Sequence, residues 1–319
     1  MKKIVILIPV FNDWEPVTQL IKEIRNVTHS LTEIDFNFVL INDCSEESFQ
    51  NYQFPQEEIL IINLIRNSGH QKSIAIGLSY IVQEKFDFVI VMDSDGEDKP
   101  EDIIRLLQKS EQNNNDSIIF ARRTKRKEGL IFRKFYWLYK VIFKILTGKE
   151  INFGNFSLLP YKYAERVVHL SEIWNHYAGG ILKSRFPIQT VLAEKGKRLA
   201  GKSKMNFTVL VMHGLSAISV YLDTVVIRLI FLCISLILLS IIALLAILYI
   251  RFFTTLAIPG WATNTSLAIM IIVIQAFFLC FFAVFSSISQ KTSTQIIPAL
   301  EYKSFIFNTC KIGESTGKR

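Results

Sequence analysis

The chain has 319 residues, half of them hydrophobic, with a mean hydropathy of +0.31 and a formal net charge of +8 at pH 7. It is too apolar for an ordinary soluble enzyme and too charged for a wholly membrane-embedded protein, so two parts in different solvents are predicted. The basic excess suits anionic lipid and phosphorylated ligands, and without a nucleic-acid-binding motif we expect no nucleic acid partner. The four scattered cysteines form no disulfide or zinc-binding pattern.

The first 125 residues alternate short apolar runs with helical patterns. Predicted strands cover residues 3–8, 36–41, 59–64, 86–92 and 117–120, and predicted helices cover 15–27, 72–83 and 100–112. Continuously apolar strands that alternate with helices predict a parallel sheet covered on both faces. Ligands of such sheets bind beyond the carboxyl ends of the strands.

Polar loops follow four of the predicted strands, at residues 9–13, 42–45, 67–69 and 93–95. We expect these loops to gather on one rim of the sheet, because parallel strands end at the same edge. Asp93 and Asp95 follow the end of an apolar strand. Two carboxylates in that position can converge on a hard divalent cation that keeps open positions for phosphate oxygens.

Two long apolar segments, 229–250 and 267–287, contain no charged residue. At about 1.5 Å per residue, each is long enough to cross a hydrocarbon core of about 30 Å. The loop 251–266 carries one basic residue, whereas the segment after Ser287 carries five. The positive-inside rule therefore predicts that both termini are cytoplasmic. The alternative is a buried helical hairpin in a soluble domain.

Two further segments have the pattern of helices that lie at a membrane surface. Apolar residues recur at helical spacing over 207–223, just before the first span. Basic and aromatic residues are combined over 130–146, which suits an anionic bilayer surface. The alternative for each is a core helix with a solvated edge.

The loop motifs together resemble glycosyltransferase family 2, which has the GT-A fold. The motifs are Pro9-x-Phe11-Asn12-Asp13, Asn42-Asp43-x-Ser45, Asp93-x-Asp95 and Arg198-x-x-Gly201-x-Ser203-Lys204-Met205. The interfacial helix and two spans that follow are similar to the polyprenyl-phosphate branch, which includes dolichol-phosphate mannose synthase-like enzymes.

The implied fold is an α/β protein: a GT-A catalytic domain with a Rossmann-like, mostly parallel sheet, interfacial helices and a two-helix transmembrane hairpin. The implied boundaries are 1–206 for the GT-A domain, 207–224 for the interfacial helix, 225–288 for the two spans and 289–319 for a cytoplasmic tail.

The resemblance also implies contacts to a nucleotide-sugar donor. Pro9, Phe11 and Asp13 would line the base and ribose, and Asp43 would hydrogen-bond the base. Asp43 as a turn-forming residue is the alternative.

The resemblance implies that a glycine and three basic residues lie near the donor diphosphate. Gly69 and Lys72 would approach the ribose–diphosphate region, and Arg198 and Lys204 would neutralise phosphates. The alternative for residues 67–69 is a plain loop, and that for Lys72 is a solvated helix residue. Arg198 and Lys204 could instead belong to a basic run over 195–204 that contacts lipid headgroups. Sugar transfer needs its leaving diphosphate stabilised, which cations do electrostatically.

The resemblance implies that Asp93 and Asp95 are catalytic and hold Mg²⁺ or Mn²⁺. One segment departs from the branch: where its members show Gly-Asp-Phe-Arg, this chain has Gly154-Asn155-Phe156-Ser157. A lipid phosphate acceptor is already anionic and needs no general base, whereas a hydroxyl acceptor needs one. Candidates for that base are His176, Asp98 and Glu97.

The predicted activity is that of a metal-dependent, inverting glycosyltransferase anchored in the inner or cell membrane by several passes, with a cytoplasmic catalytic domain. It would move a sugar from a nucleotide-sugar to a lipid-linked acceptor, polyprenyl phosphate being the expected one. A polysaccharide transferase with a saccharide hydroxyl acceptor is the second enzyme hypothesis. The non-enzyme hypothesis is a nucleotide-sugar-binding membrane scaffold. Membrane lipids are expected partners, and a homo-oligomer is left open.

Overall fold

The computed structural model describes residues 1–55, 58–123, 130–201, 207–254, 260–292 and 295–313. The chain forms two compact units. We call Met1–Lys140, Glu150–Val220 and Gln295–Arg319 the sheet unit, and Val141–Lys149 with Tyr221–Thr294 the hairpin unit. The chain therefore leaves the sheet unit twice: after Lys140, returning at Glu150, and after Val220, returning at Gln295.

The sheet unit is built on a sheet with strand order β7-β5-β6-β4-β1-β2-β3-β8. The strands are β1 (Lys2–Val10), β2 (Ile34–Asn42), β3 (Ile59–Leu64), β4 (Phe88–Val91), β5 (Ile118–Arg123), β6 (Ser157–Pro160), β7 (Ile188–Ala193) and β8 (Ile306–Ile312). Strand β1 pairs in parallel with β2 and β4, β2 with β3, and β5 with β7, whereas β6 and β8 are antiparallel to their neighbours. The carboxyl ends of β1 to β4 thus form one rim.

Helices cover both faces of this sheet. The helices of the sheet unit include α1 (Trp14–Thr28), α2 (His70–Ile81), α3 (Glu101–Gln112), α5 (Tyr161–Val167), α6 (Tyr177–Lys183) and α7 (Phe207–Ser219). One core cluster joins α1 and α3 to the sheet, and the other joins α2, α5 and α6 to its opposite face. A Cβ on Gly77 would come within 3 Å of Leu7 and Ile41 side chains. Glycine there lets α2 lie close against β1 and β2, which directs its first turn to the rim.

The strand and helix predictions for the first 125 residues are confirmed, whereas three strands later in the chain were not predicted. All five predicted strands and all three predicted helices of the first 125 residues are present. Strands β6, β7 and β8 were not predicted, and β6 and β8 make the sheet mixed. The predicted tail, 289–319, contributes β8, which pairs with β3 through backbone hydrogen bonds. The half-exposed β8 lacks the apolar alternation that marks a strand in a sequence.

The hairpin unit contains α8 (Leu222–Phe253) and α9 (Trp261–Thr292), which pack against each other. Within the described residues, these two helices are long and apolar enough to cross a membrane by length and composition. Both exceed the predicted spans 229–250 and 267–287. Helix α7 ends at Ser219, so 207–223 is not the single helix expected there. Helix α4 (Leu130–Thr147) matches its predicted range.

Candidate functional site

The loops that follow β1 and β2 are tied together by side-chain hydrogen bonds. Asn12 N donates to Ser45 Oγ at 2.9 Å, and Glu46 N donates to Asn12 Oδ1 at 2.7 Å. Asn12 and Cys44 both adopt left-handed backbone conformations, with φ of 51° and 58°. These contacts confirm that the first two polar loops meet at the rim.

Asp43 joins the β2 loop to the start of α2. Its two carboxylate oxygens accept hydrogen bonds from Ser68 N at 2.6 Å and Gly69 N at 2.9 Å. Burial raises the pKa of Asp43, and these backbone donors oppose that rise. Gly69 has φ of 91°, in the region that favours glycine, and precedes the first residue of α2. The carboxylate therefore fixes the position of α2 at the rim, while its contact with a base remains a prediction.

Asp93 lies against a histidine that the sequence analysis did not select. His70 Nε2 is 3.1 Å from Asp93 Oδ1 and 3.0 Å from Asn155 Nδ2. Burial alone would raise the pKa of Asp93, but the charges of His70, Arg123 and His213 hold it below its usual range. His70 follows the predicted rim loop 67–69 directly, and that position is the sequence signal that could have identified it.

Arg198 bridges two of the predicted donor-site carboxylates. Its Nη2 is 2.7 Å from Asp13 Oδ1, and its Nη1 is 3.1 Å from Asp95 Oδ2. Leu199 N donates to Asp95 O at 3.0 Å, which holds this loop against the acidic segment. Burial and the Asp93 charge raise the pKa of Asp95, and Arg198 opposes them. Three residues far apart in sequence thus meet at the ends of β1 and β4.

Asp98 and Glu97 are both paired with cations. Arg123 Nη2 is 2.9 Å from Asp98 Oδ1, Asp93 N donates to Asp98 Oδ2 at 3.3 Å, and Lys195 Nζ is 2.9 Å from Glu97 Oε2. Burial, then the charge of Asp93, raise the pKa of Asp98 to about 7. Arg123, which the sequence analysis missed, ends β5, one of the predicted strands.

His176 caps a helix. Its ring is 4% exposed, and Nδ1 accepts a hydrogen bond from Gly179 N at 2.9 Å at the start of α6. The ring centroid lies 4.6 Å from that of His213 on α7. Burial and the His213 charge lower the pKa of His176 to about 3. The ring is therefore neutral near pH 7, and its Nδ1 lone pair is engaged by the backbone.

The segment that departs from the family pattern contacts the first turn of α2. Gln71 Nε2 donates to Asn155 Oδ1 at 3.4 Å, and Gln71 Oε1 accepts from Tyr177 N at 2.6 Å. Ser157 Oγ shares a hydrogen bond of 2.8 Å with Tyr177 Oη. The amide and the hydroxyl that replace the charged pair are thus used to join α2, β6 and α6.

The other residues predicted to contact the donor are Pro9, Phe11, Lys72 and Lys204. Pro9 is buried within β1, in register with Ile41, and Phe11 follows that strand, half-buried. Lys72 Nζ lies 5.6 Å from the Trp174 ring centroid, a cation–π geometry. Lys204 lies outside the described residues.

The chemistry of the acidic pair would suit a cation that also binds a phosphorylated ligand. Across the described ranges, no group of three or more His, Cys, Asp or Glu side chains is arranged to hold a metal by itself. Asp93 Oδ1 is buried and has no well-directed hydrogen bond, although His70 lies close to it. Two carboxylates suit Mg²⁺ or Mn²⁺ when phosphate oxygens and water supply the other ligands.

Comparison with known proteins gives a consistent result. The family model described as glycosyl transferase family 2 matches residues 5–167. A bactoprenol glucosyl transferase of Shigella phage SfX is 32% identical over 212 residues, which cover 64% of this chain and 67% of that protein. An uncharacterized glycosyltransferase of Bacillus subtilis (strain 168) is 24% identical over 282 residues, covering 86% and 83%.

A solved structure shares the fold. It is glucosyl-3-phosphoglycerate synthase from Mycobacterium tuberculosis, in complex with Mn²⁺, UDP-glucose and phosphoglyceric acid, with a TM-score of 0.50 and 11% identity. The match covers 70% of this chain and 80% of that one. The predicted α/β GT-A fold, with two long apolar helices near the C-terminus, is thereby confirmed.

Proposed function

The chain belongs to glycosyl transferase family 2, and from that premise we propose that it transfers a sugar, with inversion, from a nucleotide-sugar to a polyprenyl phosphate at the cytoplasmic membrane face. The observation that carries this proposal is the meeting of Asp13, Asp95 and Arg198 beside Asp93 at the carboxyl ends of β1 and β4. The similarity to a bactoprenol glucosyl transferase supports the acceptor class.

The donor half of the reaction needs stabilisation of a leaving diphosphate. When the bond between the anomeric carbon and the diphosphate breaks, negative charge develops on the diphosphate oxygens. Mg²⁺ or Mn²⁺, bound by Asp93 and Asp95, would supply electrostatic stabilisation of that charge. The Arg198 guanidinium already lies between Asp13 and Asp95 and would offer its N–H groups to the same oxygens.

The acceptor half needs a nucleophile but no proton acceptor. A phosphate oxygen of the polyprenyl phosphate attacks the anomeric carbon as the nucleoside diphosphate leaves, so one C–O bond forms and one breaks. The attacking oxygen carries no proton at neutral pH, because the second phosphate ionisation lies near 6. A single displacement of this kind inverts the anomeric centre.

A hydroxyl acceptor is the second candidate, and Asp98 is the observation behind it. A pKa of about 7 is suited to a general base at neutral pH. However, both carboxylate oxygens are engaged, one by Arg123 and the other by Asp93 N. His176 likewise uses its Nδ1 to cap α6. These engagements favour the phosphate acceptor.

The path of the chain supports an even number of membrane crossings. The segment Glu150–Val220 that precedes α8 and the segment that follows α9 from Gln295 both belong to the sheet unit, and β8 is hydrogen-bonded to β3. Both ends of the α8–α9 hairpin must therefore lie on the same side of any membrane that the hairpin crosses. The charge asymmetry of the flanking segments favours the cytoplasmic side.

This topology predicts a labelling pattern. In a variant whose four cysteines are replaced by serine, Thr263→Cys should react with an impermeant maleimide in intact cells. Leu300→Cys, whose parent side chain is 70% exposed, should react only after permeabilisation. Reaction of Leu300→Cys in intact cells, with Thr263→Cys protected, would contradict the assignment.

The proposed activity is tested by product extraction. Detergent-solubilised protein is incubated with a panel of labelled nucleotide-sugars and undecaprenyl phosphate, and the label is measured in the organic phase. Acid-labile label in lipid is expected for one donor. Label found only on added saccharide acceptors would favour the hydroxyl hypothesis, and donor binding with neither transfer nor hydrolysis would favour the scaffold.

Two substitutions of His176 distinguish a helix-capping role from a general-base role. His176→Ala should lower the free energy of unfolding by about 1 to 2 kcal/mol, because the α6 cap is lost. The transfer rate should fall by much less than the factor of about 100 expected when a general base is removed. His176→Asn can still accept from Gly179 N and should restore much of that stability.

Rates and thermal unfolding of the three proteins would be compared between about pH 6.5 and 8, where the rate should change little. If both variants are inactive and the wild-type rate follows one ionisation near the ordinary histidine value of about 6.5, His176 is the base and the acceptor is a hydroxyl.

A further inference from the structure

Three asparagines form a line of hydrogen bonds across one side of the sheet. Asn42 on β2 is in register with Asn63 on β3, and Asn63 is in register with Asn308 on β8. Asn63 Nδ2 donates to Asn308 Oδ1 at 2.7 Å, and Asn42 Nδ2 donates to Asn63 Oδ1 at 2.8 Å. Ser45 N completes the line by donating to Asn42 Oδ1 at 2.9 Å. We call these three residues and their bonds the amide line.

The amide line ends in the rim loops. Ser45 Oγ accepts from Asn12 N, and Asn12 Oδ1 accepts from Glu46 N. Hydrogen bonds therefore run without a break from the C-terminal strand, which follows the α8–α9 hairpin, to the loops after β2 and β1. Asp43, which holds the start of α2, lies within the same loop.

The chemistry of the line makes each bond depend on the next. In Asn42 and Asn63 the amide nitrogen donates toward β8 and the oxygen accepts from the rim side, and Asn308 contributes its oxygen, so each group polarises its neighbour. Asparagine is disfavoured in strands, and the partly buried Asn63 amide is hydrogen-bonded on both sides, to Asn42 and to Asn308. Without Asn308, Asn63 Nδ2 keeps its contact with Cys310 Sγ at 3.9 Å, and thiols are weak acceptors.

We propose that Asn308 is a positioning residue for the donor site: by anchoring the amide line, it holds the loops at residues 11–13 and 43–46 in the conformation that binds the nucleotide-sugar. The inference rests on the proposed function for its ligand. It makes donor affinity depend on a strand that joins the sheet only after the chain has passed through the apolar hairpin.

Three substitutions on β8 test the proposal. Asn308→Ala removes the terminal acceptor, and Asn308→Asp keeps an oxygen at the same place. Thr309→Ala is the matched control, because Thr309 is also exposed and pairs with Ile62 on the other face of the sheet. Asn308→Ala should raise the KM for the donor about five- to tenfold, the effect of one lost hydrogen bond. The acceptor KM and kcat should stay within about twofold, as should all parameters of the other two variants.

A second measurement does not require turnover. Amide hydrogen exchange at Ser45 and Glu46, whose N–H groups donate within this network, should be faster in Asn308→Ala than in Thr309→Ala or Asn308→Asp. Exchange that accelerates evenly over the whole sheet, or an unchanged donor KM in an active enzyme, would overturn the positioning role. Local acceleration in a protein that transfers no sugar would overturn the proposed function and leave the link between Asn308 and the rim loops supported.

Discussion

Asp93→Asn and Asp95→Asn are each expected to reduce sugar transfer by about a thousandfold, the upper range seen when one preorganised electrostatic group is lost. An amide has nearly the shape of a carboxylate but no charge, so it binds a hard cation on a diphosphate much more weakly. Asp93 offers a buried oxygen without a well-directed hydrogen bond, and Asp95 shares Arg198 with Asp13. The loss should appear in kcat/KM at saturating Mg²⁺ or Mn²⁺.

The matched control for these variants is Asp116→Asn. Asp116 is an exposed carboxylate paired with Lys162, just before β5 and away from the rim. It should keep full activity, and all three proteins should unfold within a few degrees of the wild type. A chelator in excess should abolish wild-type transfer, and added Mg²⁺ or Mn²⁺ should restore it. Undiminished transfer in chelator, or by both rim variants, would disprove the cation site.

Arg198→Ala is expected to lower kcat/KM for the donor by about a hundredfold, because its charge-assisted hydrogen bonds at the leaving group are lost. Arg198→Lys should recover only part of that loss. Lysine is a point charge, whereas the guanidinium presents separate N–H groups to Asp13 and to Asp95 at 2.7 and 3.1 Å. Steady-state kinetics and titration with the nucleoside diphosphate measure the two effects separately.

Arg105 provides the control for Arg198. It pairs with Asp102 on the same helix at 2.8 Å, with 57% of its side chain exposed, and Arg105→Ala should leave donor kinetics unchanged. Combining Arg198→Ala with Asp13→Asn should cost less than the sum of the two single losses, since the residues share one contact. If Arg198→Ala binds donor more tightly than the wild type, the arginine blocks the acidic pair and does not contribute to donor binding.

The alternation of apolar strands with helical patterns was enough to identify the fold class and the rim. Strands β1 to β4 are largely buried, so their sequences are mostly apolar, and each is followed by a polar loop. The acidic pair Asp93 and Asp95 and the two apolar helices were also identifiable from sequence. These features depend on local composition and spacing, which a sequence displays directly.

Only the tertiary structure decided the partners of the site residues. Arg198 lies 185 residues after Asp13 in the chain, yet pairs with it, and His70 meets Asp93 across two strands. Histidine is a residue type that often serves as a catalytic base, but the buried ring of His176 caps α6. No local pattern encodes such pairings, because they arise from how strands are ordered in the sheet.

The antiparallel strands also depended on tertiary context. Strand β6 has four residues, inserted between β4 and β5, and β8 is a half-exposed edge strand. Their stability comes from backbone bonds to neighbours that are remote in sequence, so their own residues show little periodicity. The sequence by itself thus determined which elements bear the chemistry, and the tertiary structure determined which side chains meet, because each contact at the rim joins separate loops.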